Sequence, residues 1–159
     1  MNDKAVIHSD ELLAYQTLRL QDLISEIVEC CEDRKLYESH RFALPFSEVK
    51  CLILFDGERY LTVKGIAQRL DVAKSRVTKI VNGLIQKGLV ERIDDPQDGR
   101  VRLIRLTPAG LQISKTLDAF HRDINQRILA QMDSEERKSM LSHLEKLRSA
   151  MEAVKEDFK

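Results

Sequence analysis

The stretch from residue 74 to residue 86 carries seven polar side chains that can all donate hydrogen bonds, and none of them is acidic. They are Lys74, Ser75, Arg76, Thr78, Lys79, Asn82 and Gln86. Arginine and lysine side chains pair with guanine or phosphate oxygens, and asparagine and glutamine amides pair with adenine. The set therefore suits hydrogen bonding to nucleic acid. The side chains that we predict to face a DNA groove are Ser75, Arg76, Thr78 and Lys79.

Apolar residues at helical spacing predict the elements that present these donors. The spacing continues on both sides of a three-residue break at 71–73, which predicts two crossing helices in a helix-turn-helix. The apolar positions are Ile66, Leu70, Val72, Val77, Ile80 and Leu84. Thr62 is the predicted N-cap of the first helix, and Gly88 ends the second in a left-handed conformation. We expect that no close neighbour requires glycine at position 83, although glycine weakens a helix by about 1 kcal/mol relative to alanine.

After Gly88 the apolar period changes from helical to extended. Residues 89–93 and 101–106 alternate as strands, and the polar tip between them contains Pro96 and Gly99, so the pattern predicts a β-hairpin. An arginine at the tip of a narrow ribbon can enter the minor groove. We predict this role for Arg100, with Asp98 and Arg102 beside it as further DNA contacts.

Charge is segregated along the chain although the net charge is zero. Residues 1–58 hold 6 basic and 12 acidic side chains, whereas residues 59–105 hold 11 and 5, a net charge of +6. Residues 106–159 hold 9 of each sign. A basic middle segment is the electrostatic footprint of a protein that neutralises phosphates, whereas a merely solvated surface predicts no such segregation.

The order of these motifs resembles the MarR-type multidrug and aromatic-compound regulators, which are bacterial winged-helix repressors. The resemblance rests on residues 98–100 (Asp-Gly-Arg), residues 106–110 (Leu-Thr-Pro-Ala-Gly), and Leu84 with residues 87–90 (Lys-Gly-Leu-Val). It implies a mainly α fold with a small β-hairpin wing, a winged helix-turn-helix with N- and C-terminal dimerisation helices. The predicted layout is a single domain over 1–159: N-terminal helix and connection 1–46, winged module 47–106 and C-terminal helices 107–159.

Apolar stripes on the flanking helices predict a homodimer. The first helix is predicted from about Asp10 to Arg34, and the last carries apolar residues at alternating spacings of four and three. The dimerisation residues that we predict are Leu13, Leu20, Ile27, Leu144, Leu147, Met151 and Val154. A two-fold dimer presents two recognition helices to grooves about 34 Å apart, so the operator should be an imperfect palindrome.

The resemblance also implies a small aromatic or phenolic effector, bound near the junction of the first, second and fifth helices. The residues that would form this pocket are Tyr15, Arg19, Phe42, Phe46, Cys51 and Phe55. For each of them taken singly, a role in the core or on the surface is favoured over a role in binding. The second helix is predicted from Ser47, acting as N-cap, to Phe55, with Cys51 as a small core residue.

These patterns predict a DNA-binding transcriptional regulator, a repressor that an effector releases from its operator. Two alternatives stay open: a winged-helix protein-interaction module that does not read DNA, and a redox-sensing regulator that uses Cys30, Cys31 or Cys51. No phosphate loop, nucleophile motif or metal-ligand spacing is present in the sequence, so we expect neither catalysis nor a cofactor nor a metal. Because no apolar stretch approaches the roughly 20 residues of a membrane span, we expect a cytoplasmic protein.

Overall fold

The fold is mainly helical with one small antiparallel sheet, as predicted. The computed structural model describes residues 3–95, 98 and 101–158. Over these residues the elements are α1 (Asp3–Phe42), α2 (Phe46–Ile53), β1 (Leu61–Thr62), α3 (Val63–Leu70), α4 (Lys74–Gln86), β2 (Val90–Asp94), β3 (Arg102–Leu106), α5 (Pro108–Leu129) and α6 (Ser134–Glu156). The chain divides into two compact units, the first ending at Gly110 and the second beginning at Leu111.

Helix α1 is longer than the sequence predicted, and the predicted bounds of Asp10 and Arg34 are wrong at both ends. It has 40 residues, a length of about 60 Å at 1.5 Å per residue. No glycine or proline lies within its sequence, and the first proline of the chain is Pro45. The helix ends where Ala43 adopts a left-handed conformation, with φ of 52°.

The core of the first unit is formed by α2, α3 and α4 together with the sheet. Its most deeply buried side chains include Val49, Cys51, Leu52, Ile66, Val77, Val81, Leu84 and Ile104. Helix α2 begins at Phe46 behind Pro45, without a side-chain cap, so the predicted capping role of Ser47 is wrong. Proline suits this position because its fixed φ prepares the chain for the first helical turn.

Strand order in the sheet is β1-β3-β2 over the described residues. The predicted hairpin of β2 and β3 is confirmed, and its antiparallel register places Arg92 opposite Ile104 and Asp94 opposite Arg102. The third strand, β1, was not predicted, because two residues are too few to show a period. It pairs Leu61 with Ile104 on the other side of β3.

The second unit contains most of α5 and all of α6. Asp133 caps α6 in a capping box, since its carboxylate accepts from the amide of Glu136 while Glu136 accepts from the amide of Asp133. The guanidinium of Arg137 donates from Nε to the carbonyl oxygens of Leu129 and Met132, at 2.7 and 2.9 Å, which ties the end of α5 to the start of α6. None of the helices over the described residues has an apolar stretch long enough to span a bilayer.

Candidate nucleic-acid interface

Helix α4 separates a buried apolar side from an exposed polar side. Val77, Ile80, Val81 and Leu84 are buried against the core. All seven predicted donor residues, Lys74, Ser75, Arg76, Thr78, Lys79, Asn82 and Gln86, are exposed. The hydroxyl of Thr78 donates to the carbonyl of Lys74 at 3.0 Å, as is common for threonine within a helix. The exposed side of α4 therefore offers cations and hydrogen-bond donors without an acidic side chain.

The turn between α3 and α4 fixes how this side is presented. The hydroxyl of Thr62 accepts from the amide of Gly65 at 3.0 Å, so the predicted N-cap of α3 is confirmed. Asp71 takes a left-handed conformation, with φ of 53°, and ends the helix. Ala67 is buried where the two helices meet. Helix α4 begins directly at Lys74, so its first basic residue lies in the first turn.

A neighbouring side chain does require glycine at position 83, so that prediction is wrong. A Cβ atom at Gly83 would overlap Oε1 of Glu48 on α2. Glu48 is 6% exposed, and its Oε1 accepts from Nζ of Lys87 at 2.9 Å, while Oε2 has no hydrogen-bond partner among the described residues. The buried Glu48 carboxylate thus links α2 to the end of α4 through Lys87 and lies against the backbone at Gly83.

Burial, and to a smaller degree the nearby Glu48, raises the pKa of the Cys51 thiol to about 12.

The wing is crossed by pairs of opposite charge. Arg105 donates to Glu91 at 2.6 Å, and Arg102 forms an ion pair with Asp94. Cross-strand pairs of this kind contribute modestly at an exposed surface. Arg102, a predicted DNA contact, is therefore engaged within the ribbon.

The tip of the wing is only partly described. The backbone carbonyl of Asp98 accepts from the amide of Val101 at 2.9 Å, and Asp98 is exposed. Arg100, the predicted minor-groove residue, lies outside the described residues, as do positions 96, 97 and 99. The DNA contact assigned to Arg100 stays a prediction.

Arg92 on β2 is a candidate that the sequence prediction missed. Its Nη2 donates to Oδ1 of Asn82 at 2.6 Å, which joins the wing to the exposed side of α4. The alternation of the strand indicated that Arg92 would lie on the hairpin. The strand register, and hence the neighbour of Arg92 on α4, was not visible in the sequence.

Thr107 and Gly110 explain the motif that follows the wing. The Thr107 hydroxyl donates to the carbonyl of Gly88 at 2.6 Å and accepts from the amide of Gly110 at 3.0 Å. A Cβ atom at Gly110 would overlap the backbone oxygen of Leu89. Gly88 has a φ of 68°, as predicted for the residue that ends α4. Together these contacts join the end of α4 to the first turn of α5.

The six predicted effector residues do not form one pocket within this chain. Tyr15 and Phe42 lie on the same continuous helix, 27 residues apart, which is about 40 Å. Tyr15 and Arg19 are exposed, and Arg19 forms an ion pair with Glu26 at 3.5 Å. The residues at the other end of the predicted set are half-buried or buried near α2: Phe42, Phe46, Cys51 and Phe55. Because α1 continues past residue 34, one chain does not bring all six residues together, and the effector site stays a prediction.

The predicted dimerisation residues are accessible on both terminal helices. On α1 and α6 the exposed ones are Leu13, Leu20, Ile27, Leu144, Met151 and Val154, and Leu147 is half-buried. Cys30 is exposed, Cys31 is half-buried, and no disulfide joins the three cysteines. Over the part of the chain that the structure describes, His, Cys, Asp and Glu side chains form no cluster of three or more that could hold a metal ion.

Comparisons with known proteins agree with this geometry. The model of the MarR family matches residues 45–101. A putative transcriptional regulatory protein for the hcr operon of Thauera aromatica is 30% identical over 87 residues, which cover 55% of this chain and 52% of that protein. The HTH-type transcriptional regulator BilQ of Clostridioides difficile is 23% identical over 67% of this chain and 72% of its own length. The chain thus matches the first of these relatives over about half of that relative's length.

Solved structures show the same fold over most of the chain. The YusO protein of Bacillus subtilis has a TM-score of 0.69 and 27% identity, covering 89% of this chain and 97% of that one. FabT of Streptococcus pneumoniae, solved in complex with DNA, has a TM-score of 0.75 at 23% identity, covering 84% of this chain and 98% of that one. The mainly α architecture with a wing is therefore shared with these solved structures.

Proposed function

We propose that the protein is a sequence-specific DNA-binding transcriptional regulator of the MarR type, a proposal that the match of the MarR family model to residues 45–101 supports. The observation that carries the proposal is the exposed side of α4, which has seven hydrogen-bond donors and no acidic side chain. The module around it has a net charge of +6 over residues 59–105. Such a surface attracts the phosphate backbone and releases its counterions on binding.

In this proposal α4 enters the major groove, and the residues of its first two turns meet the base edges. Arg76 suits a bidentate contact with guanine, whereas Lys79 suits a phosphate or a single base acceptor. Arg100 at the tip of the wing would reach the minor groove. Thr107 and Gly110 support both contacts, because they anchor the end of α4 and the start of β2 to one helix.

We further propose that the protein binds DNA as a homodimer. The apolar residues that α1 and α6 leave exposed, such as Leu13 and Met151, would be buried between two copies of the chain. Two copies related by a two-fold axis would read half-sites one helical turn apart, in an imperfect palindrome. A regulator that occupies such a site as a dimer would act as a repressor when the site overlaps a promoter.

The most specific part of the proposal is that a small aromatic or phenolic effector releases the protein from its operator. Phe42 ends α1 and Phe46 begins α2, and both are half-buried. An effector bound there would lower operator affinity only in proportion to its preference for the DNA-free conformation. Titration of the protein–operator complex with a panel of aromatic carboxylic acids and phenols tests this step. Operator affinity unchanged by every compound would count against it.

The central experiment measures binding to the DNA upstream of the protein's own gene at two salt concentrations. We expect a sequence preference and a steep loss of affinity at higher salt. Lys79→Ala should weaken binding and reduce the salt slope by about one. Lys138→Ala is the matched control, because Lys138 is an exposed lysine of α6 that already pairs with Glu135. No detectable binding at low salt would overturn the proposed function and leave a protein-interaction module as the better interpretation.

A further inference from the structure

The hydrogen bond between Arg92 and Asn82 joins two elements that would both approach DNA. Asn82 lies on the exposed side of α4, and Arg92 extends from β2 to it. Across the sheet, the position opposite Arg92 is Ile104, whose buried side chain accepts no hydrogen bond. The neighbouring arginines differ, since Arg102 and Arg105 pair with acids directly across the ribbon. The register therefore leaves Arg92 to reach the helix.

This bond determines which end of the Asn82 amide faces the wing. A guanidinium has only donors, so the atom of Asn82 that faces Arg92 must be the acceptor Oδ1. The amino group of the same amide, Nδ2, then faces away from Arg92. An asparagine that reads adenine must accept from the base and donate to it at the same time. Arg92 engages one of the two lone pairs of Oδ1, and its positive charge beside that oxygen disfavours a second donor such as the adenine amino group, whereas donation from Nδ2 stays open.

We propose that Arg92 is a positioning residue that makes Asn82 a hydrogen-bond donor to DNA rather than a reader of adenine. The inference rests on the proposed function. The group on DNA that accepts from Asn82 is either a phosphate oxygen or an acceptor atom of guanine or thymine in the major groove. Arg92 thus contributes to operator choice through Asn82, and the wing and the recognition helix act on the DNA together.

A double-mutant cycle on operator affinity tests the positioning role. Arg92→Met keeps most of the side-chain length and removes every donor, and Asn82→Ala removes the group that Arg92 positions. We expect Arg92→Met to weaken operator binding about tenfold in the wild-type background and less than about twofold when Asn82→Ala is already present. Equal losses in both backgrounds would mean that Arg92 contacts DNA itself, and would overturn the inference. Thermal unfolding of each variant controls for the fold, because both side chains are exposed.

Selection of binding sites from a random DNA library tests the donor role. A preference for guanine or thymine that disappears in Asn82→Ala would assign the acceptor to a base. An unchanged preference with a shallower salt dependence would assign the acceptor to a phosphate. In Arg92→Met the freed amide should gain a preference for adenine at the contacted position. A wild-type preference for adenine that Asn82→Ala abolishes would overturn the inference.

These measurements separate the failure of this inference from that of the proposed function. Wild-type protein that binds no DNA at low salt would overturn the proposed function, and this inference with it. Wild-type protein that binds its operator, combined with additive losses in the cycle, would overturn the role of Arg92 alone.

Discussion

Replacing Gly83 with alanine should destabilise the protein, although the position lies inside a helix. Alanine is favoured over glycine in a helix by about 1 kcal/mol. Against this, the new methyl group would overlap the buried carboxylate of Glu48, and overpacking of this kind costs about 1 to 3 kcal/mol. Displacing Glu48 also weakens its bond to Lys87, worth about 1 kcal/mol because the lysine side chain is 39% exposed. The net effect is a loss of about 2 kcal/mol.

The assay is urea unfolding of four proteins: the wild type, Gly83→Ala, Glu48→Ala and the double variant. Once Glu48 is shortened to alanine, the methyl group introduced at position 83 has room and only the gain in helix propensity remains. Gly83→Ala should therefore lower the free energy of unfolding by about 2 kcal/mol in the wild-type background, and raise it by about 1 kcal/mol in the Glu48→Ala background. If Gly83→Ala stabilises both backgrounds equally, the reasoning about Glu48 is refuted.

Three further predictions concern the junction after the wing and the cysteines. Thr107→Val should lower the free energy of unfolding by about 1 to 2 kcal/mol, since it removes a helix cap and a second hydrogen bond; Thr116→Val, on exposed α5 surface, is the matched control and should change it by less than about 0.5 kcal/mol. Gly110→Ala should cost about 3 kcal/mol, because the atom it meets is backbone that cannot rotate away; a melting temperature equal to that of the wild type would contradict this. The pKa of Cys51, raised to about 12, keeps its thiol protonated and neutral at pH 8, so a thiol reagent should modify Cys30 and spare Cys51 in the native protein. Mass spectrometry of the labelled peptides checks the order, and early labelling of Cys51 would contradict it.

Local signals predicted the parts of the fold that depend on neighbours in sequence. The cap at Thr62 and the left-handed Gly88 each require a particular residue at one position, so their types and places were sufficient. The apolar spacing around Val77 and Leu84 likewise placed the buried side of α4 correctly. The residues outside the apolar stripe were then predicted to be exposed, because a helix of this kind buries only one stripe.

Features that depend on distant contacts were not predictable from the sequence. Gly83 meets Glu48, which lies 35 residues earlier, and nothing in the pattern around Gly83 indicates a carboxylate. Arg92 finds Asn82 only through the register of the sheet. The separation of Tyr15 from Phe42 was not predictable either, because a helix boundary placed near Arg34 would have allowed the chain to turn between them.

The long first helix has a consequence for the thermodynamics of the whole molecule. From residue 10 to residue 37 none of its described side chains is buried, and most of the stability of a helix in a protein comes from the packing of its apolar face rather than from helix propensity. Whatever covers this arm must therefore supply much of its helicity. If a second copy of the chain covers it, ordering of the arm is coupled to association by mass action. The melting temperature then rises with protein concentration, and dilution removes helix before it disrupts the core around Leu52.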